Sequence, residues 1–130
     1  MARAGRILLV DDDREMVQGL GIRLRSAGFE VLTAFDGEEG LASAIAHRPD
    51  AVVLDARLPR MDGLTVLRRL RERQDLGFIP VVMLSASLAD RWKALEMGAR
   101  HFVEKPYDPR KLVAAVQSAV AHRLPARTEI

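Results

Sequence analysis

The stretch Ile7-Leu8-Leu9-Val10-Asp11-Asp12-Asp13 runs four apolar residues straight into three carboxylates. An unbroken apolar run of this length has the character of a strand covered on both faces, as in a parallel sheet layered by helices, whereas a half-exposed strand would alternate. Four more runs of strand length follow: Val31 to Ala34, Ala51 to Leu54, Val81 to Leu84 and Phe102-Val103. Each is separated from the next by a stretch with helical spacing, so five strands alternate with five helices. Short connections between alternating elements predict a doubly wound α/β domain.

The helices carry their own start and stop signals. Val17, Leu20 and Leu24 space the first helix, with Gly28 placed to stop it and Asp13 either capping it or simply solvated. Asp36-Gly37-Glu38-Glu39 opens the second in capping-box fashion and Pro49 closes it. The third follows Asp62-Gly63 with Leu64, Leu67 and Leu70. The fourth opens on the cap-like Ser87-Leu88-Ala89-Asp90 and runs to Gly98, its Leu88-Trp92-Leu95 stripe reading as core packing ahead of a dedicated partner surface. The fifth has Asp108 as cap, Pro109 in its first turn, and Leu112, Val113, Val116 and Val120 on one face.

Composition sets the limits. A chain of 130 residues, 48% apolar and 29% charged, suits one globular domain that buries roughly two thirds of its unfolded surface. No apolar run approaches the ~18 residues of a membrane span, and the N-terminal apolar run is too short for a signal peptide, which points to the cytoplasm. The absence of cysteine removes disulfides, thiolate nucleophiles and sulfur-ligated zinc, and His47, His101 and His122 lie too far apart for metal-ligand spacing. A net charge of +2 is only mildly basic, and the run Leu67-Arg68-Arg69-Leu70-Arg71-Glu72-Arg73 reads as a solvated helix face rather than a nucleic-acid surface. Residues 1–123 form the expected domain, with 124–130 a tail or the start of a linker. Any output domain is expected from a partner or from further sequence.

In an open parallel sheet, ligands bind beyond the carboxyl ends of the strands. Those ends carry Asp11, Asp12 and Asp13 on strand one, Asp55 on strand three, Ser85 on strand four, and Lys105-Pro106 after strand five. Acids from two strands crowding one edge raise each other's pKa unless a cation joins them, and a hard divalent ion such as Mg²⁺ accepts one or two carboxylates together with phosphate oxygens. A lysine and a hydroxyl beside that ion can hold phosphoryl oxygens, and a carboxylate can itself be the nucleophile.

Four segments together resemble the receiver domain of two-component response regulators, over about residues 6 to 123. They are Ile7 to Asp13, Asp50 to Leu64 with its Asp55-Ala56-Arg57-Leu58-Pro59-Arg60-Met61-Asp62-Gly63 core, Pro80 to Ala86, and Gly98 to Tyr107 with Glu104-Lys105-Pro106. The resemblance implies a flavodoxin-like five-stranded parallel sheet in order 2-1-3-4-5 with five helices. It implies a signalling phosphoacceptor rather than an enzyme, catalysing only its own phosphorylation and dephosphorylation. Asp55 would accept a phosphoryl group from a phosphohistidine on a sensor histidine kinase or phosphotransfer protein, with Lys105 and Ser85 holding phosphoryl oxygens. Mg²⁺, with Mn²⁺ as substitute, would be bound by Asp12 directly, by Asp11 through water, by Asp55 and by the backbone carbonyl of Arg57. Pro106 would follow a cis peptide bond, which is nearly confined to proline. Ser85 and Phe102 match the family's switch positions, although Phe102 equally suits a core aromatic. Helix four, strand five and helix five would signal to a downstream partner or output domain, without this domain contacting nucleic acid or membrane.

Some positions depart from commoner forms. Arg100-His101 stands where many DNA-binding regulators carry an acidic pair used in dimer salt bridges, so a phosphorylation-dependent homodimer through that pair lacks its charges. Arg57 places a long cation at the mouth of the site, and Arg57 and Ser87 are expected to tune the phosphoryl lifetime. Two other classes compete with the receiver reading. A Mg²⁺-dependent phosphatase acting through an aspartyl phosphate wants an acid two residues after its nucleophile, where this chain has Arg57. A binding module that has lost phosphorylation would lack the acid pair, the acceptor or the lysine, and all are present.

Overall fold

The computed structural model describes residues 4–121, so His122, the expected boundary at 123 and the expected tail 124–130 lie outside the described residues. In chain order the elements are β1 (Gly5–Val10), α1 (Arg14–Ser26), β2 (Phe29–Ala34), α2 (Gly37–His47), β3 (Ala51–Asp55), α3 (Gly63–Glu72), β4 (Val81–Ser85), α4 (Leu88–Glu96), β5 (His101–Glu104) and α5 (Pro109–Ala121). All strands are parallel, in the flavodoxin-like order β2-β1-β3-β4-β5. The first two strands begin at Gly5 and Phe29, ahead of their apolar runs, because Arg6 and Glu30 pair across the ladder and bond through their side chains at 3.0 Å.

Successive strand residues point to opposite faces, and both faces are covered. Leu8, Val10, Leu54 and Met83 pack toward Leu67 and Leu70 of α3. Ile7, Leu9, Val53 and Leu84 pack toward Leu20 and Leu24 of α1 and Leu112 of α5. A fully buried side chain of this kind contributes roughly 1.5–3 kcal/mol. The core therefore has two layers on one sheet, and continuous apolar strands are what that arrangement requires.

Four helix starts follow the expected chemistry. The side chains of Asp13, Asp36 and Asp62 accept from the backbone N–H groups of Met16, Glu39 and Thr65, and Asp108 accepts from Arg110. Asp13 is thus a cap. The start of α4 differs from expectation: Ser87 makes no side-chain cap bond, and the groups of the reciprocal half of a capping box, the Ser87 N–H and the Asp90 carboxylate, are each engaged by Ser85 instead. The Leu88-Trp92-Leu95 stripe is also not core packing. It faces solvent, with Trp92 68% exposed, while α4 buries Asp90 and Ala94.

Register brings the strand ends together. Val10 is level with Leu54, so Asp11 and Asp55 emerge side by side, and Ser85 is level with Glu104, immediately before Lys105. The loop after Asp55 is held close by glycines: a Cβ on Gly63 would collide with the Asp55 carbonyl oxygen, and one on Gly37 with that of Met61. Among the described residues, no helix is long and apolar enough to cross a membrane.

Candidate functional site

β1 and β3 lie on either side of the point where strand order reverses, and their carboxyl ends present Asp11, Asp12 and Asp55. One ligand oxygen from each lies within 4.8 Å of the others. Asp11 and Asp55 are buried and Asp12 is exposed. Lys105 reaches in from beyond β5, its Nζ donating to Asp11 Oδ2 and to Asp55 Oδ2 at 3.0 Å each. The other oxygens are held by backbone: the N–H of Asp13 donates to Asp11 Oδ1 at 3.0 Å, and that of Arg57 to Asp55 Oδ1 at 3.1 Å.

Charge is out of balance here. Burial raises the Asp11 pKa, the Asp55 charge adds to the rise, and the backbone bond from Asp13 and the Lys105 ammonium only partly oppose it. Burial works against the charge on Lys105 as well, but its bonds to Asp11 and Asp55 and their charges outweigh that, so its pKa stands above the usual value. Two carboxylates share one ammonium, and a third stands beside them. An all-oxygen set of this kind, open at exposed Asp12, fits a hard divalent cation of the Mg²⁺ type.

Ser85 forms a second cluster at the end of β4. An ionised carboxylate can only accept, so the Ser85 hydroxyl donates its one proton to Asp90 Oδ2 at 2.7 Å, while Ser85 Oγ accepts from the Ser87 N–H at 3.0 Å. Asp90 also accepts from Arg57 Nε and Nη2 at 3.0 and 3.2 Å, a two-pronged pair. The Arg57 guanidinium is therefore tied to α4. Phe102 is partly buried against the core layer that contains Met83. The Lys105–Pro106 peptide is cis, and the Lys105 N–H donates to the Ser85 carbonyl at 3.0 Å, joining the two clusters through the backbone.

Seven of the singled-out residues reach one rim, in two groups: Asp11, Asp12, Asp55 and Lys105 in one, Ser85, Ser87 and Arg57 in the other; Phe102 lies within β5, against the core. The member that sequence reasoning placed elsewhere is Asp90. Its position three residues after Ser87 fits a capping box so well that no other role was called for; the signal that could have found it is Arg57, a cation needing an acid near the end of β4.

The family model for the response regulator receiver domain matches residues 7–117. The chain belongs to the response regulator receiver domains. As a receiver domain it is a signalling phosphoacceptor by family rather than a metabolic enzyme, and its acidic group lies where receivers bind Mg²⁺. It is similar to the transcriptional regulatory protein PrrA of Mycobacterium tuberculosis, 44% identical over 120 residues, which cover 91% of this chain and 51% of that protein. The receiver chain spans about half the length of the curated relatives it matches. Among solved structures it resembles the receiver domain of a Francisella response regulator (28% identity, TM-score 0.84, covering 90% of this chain and 97% of that one). It also resembles the chemotaxis response regulator CheY4 of Vibrio cholerae (31% identity, TM-score 0.82, covering 88% and 97%).

Proposed function

We propose that this is a cytoplasmic receiver with Asp55 as its phosphoacceptor, and that a sensor histidine kinase or phosphotransfer protein is the donor. A P–N bond to the donor imidazole breaks, a P–O bond to a carboxylate oxygen of Asp55 forms, and the imidazole leaves with a proton. The observation that carries this reading is the hold on Asp55: one oxygen bonded to Lys105 and the other to the Arg57 N–H, at the end of a buried strand. Lys105 neutralises charge on the incoming group and orients the carboxylate, so that positioning and electrostatics supply most of the catalysis. Asp12 directly, Asp11 through water, Asp55 and the Arg57 carbonyl are the proposed Mg²⁺ ligands, with Mn²⁺ as a substitute. Bound there, the ion would offset negative charge on the carboxylates and the phosphoryl oxygens together.

Ser85 would turn to donate to a phosphoryl oxygen, and Phe102 would move further inward in response. The phosphoryl group adds about 1.5 to 2 negative charges at one point. A switch from ~1% to ~99% active needs roughly 5.5 kcal/mol of preference between states, which a downstream partner or output domain on α4, β5 and α5 would share. The receiver catalyses only its own phosphorylation and dephosphorylation, with Arg57 and Ser87 tuning the latter; unchanged dephosphorylation rates in Arg57→Ala and Ser87→Ala would exclude that tuning.

Intact mass after incubation with Mg²⁺ and phosphoramidate tests the site. One metal-dependent phosphoryl adduct, absent in Asp55→Asn, is expected. Absence of any adduct with several donors would instead support a contact-only binding module.

A further inference from the structure

The Ser85 hydroxyl has a single proton, and Asp90 holds it. We infer that Asp90 is a positioning residue for the phosphoryl site: it keeps Ser85 turned away from Asp55 in the unmodified protein, and Arg57 keeps Asp90 charge-paired when Ser85 leaves. The inference rests on the reading of Ser85 as a phosphoryl-binding hydroxyl.

Three observations build it. The Ser85 to Asp90 bond is short at 2.7 Å and runs from a buried hydroxyl to a buried carboxylate, a setting in which a charge-assisted bond is strong. Asp90 sits in the first turn of α4, where it would ordinarily help to cap the helix start, yet the expected cap is absent and both of its members are engaged by Ser85. Arg57, two residues from Asp55, meets both oxygens of Asp90.

An exchange follows from this geometry. A hydroxyl cannot give one proton to two acceptors, so donation to a phosphoryl oxygen requires that the bond to Asp90 break. A buried carboxylate losing its only partner would oppose that strongly. Asp90 does not lose its only partner, because the guanidinium retains both of its bonds. The acid therefore biases Ser85 toward the unmodified arrangement, and the arginine limits the cost of leaving it. Since Asp90 belongs to α4, release of Ser85 also removes one of the ties between β4 and that helix.

The two sides of the Arg57–Asp90 pair should then act in opposite directions. The test is titration with beryllofluoride, a phosphoryl mimic, at fixed Mg²⁺, followed through the backbone amide resonance of Arg57, whose N–H donates to Asp55. Asp90→Ala should reach half-saturation at about tenfold lower concentration than wild type, the scale of one hydrogen bond to a charged group. Asp90→Asn, which keeps the volume and a weaker acceptor, should fall between. Arg57→Ala should require a higher concentration. In a Ser85→Ala background the Asp90→Ala effect should shrink below about twofold, because the hydroxyl through which it acts is gone. An equal shift in both backgrounds would overturn the inference and leave only the removal of a nearby negative charge; no shift in either would overturn it as well. A wild-type protein giving no saturable response would overturn the proposed phosphoryl site itself, which the Asp90 variants alone cannot do.

Discussion

Asp55 and Asp90 are both nearly inaccessible carboxylates, at 4% and 3% exposure, and each meets a cation at 3.0 Å. Asp90 has a two-pronged arginine and a hydroxyl, which together satisfy both of its oxygens and neutralise its charge. Asp55 shares one lysine with Asp11 and has Asp12 nearby, so its side of the rim holds more negative charge than the protein neutralises. A balanced buried pair supports a conformation. An unbalanced one creates a demand for a cation, which is what a site for Mg²⁺ and a phosphoryl group needs.

The largest expected effect comes from removing the proposed acceptor on the unbalanced side. Asp55→Asn should eliminate the phosphoryl adduct entirely, whereas Asp90→Asn should retain it, and intact mass distinguishes the two; an adduct of equal size in Asp55→Asn would break the distinction. Next, Lys105→Met leaves Asp11 and Asp55 facing each other without their ammonium. Removing one partner of a buried ion pair costs about 3–5 kcal/mol, and with Lys105 30% exposed a loss of about 2–3 kcal/mol is expected in urea unfolding without metal. Added Mg²⁺ should restore part of it. Arg57→Ala should cost less, about 1 kcal/mol, because its side chain is 72% exposed and solvent screens the pair.

The smallest expected effect has the opposite sign. Asp11→Asn should slightly stabilise the metal-free protein near neutral pH while weakening Mg²⁺ binding. The sign follows from the raised pKa of Asp11, whose cause is burial, reinforced by Asp55. A group that holds its proton more tightly in the folded state favours folding at low pH and loses that contribution as pH rises through its folded pKa. The advantage of the asparagine variant should therefore disappear as pH falls toward the ordinary carboxylate value of 3.8. Urea melts of both proteins in a chelator check this, and a variant less stable than wild type at neutral pH would contradict it.

Much of the sheet was legible because strands covered on both faces must be apolar along their length, and Leu8, Leu54 and Met83 obey that rule. The rim was legible because polar residues at the ends of such strands have few other uses. Two features of α4 were not. Periodicity places Leu88, Trp92 and Leu95 on one face but cannot say which face is covered; here the covered face presents Asp90 and Ala94, small enough for close approach to the sheet. Asp90 itself was hidden by ambiguity, since an acid three residues after a serine satisfies a local capping pattern and a long-range ion pair equally well. Local patterns identify what a residue can do, and only the fold places Arg57 within reach of it.

The most direct test of the central claim is the location of the acyl phosphate. The protein is phosphorylated with phosphoramidate and Mg²⁺, reduced with borohydride, which converts an aspartyl phosphate to homoserine, and mapped by peptide mass spectrometry. Homoserine at position 55 and at none of Asp11, Asp12 or Asp90 is the predicted result. Homoserine at one of those other positions, or an adduct that survives without conversion at 55, would contradict the account.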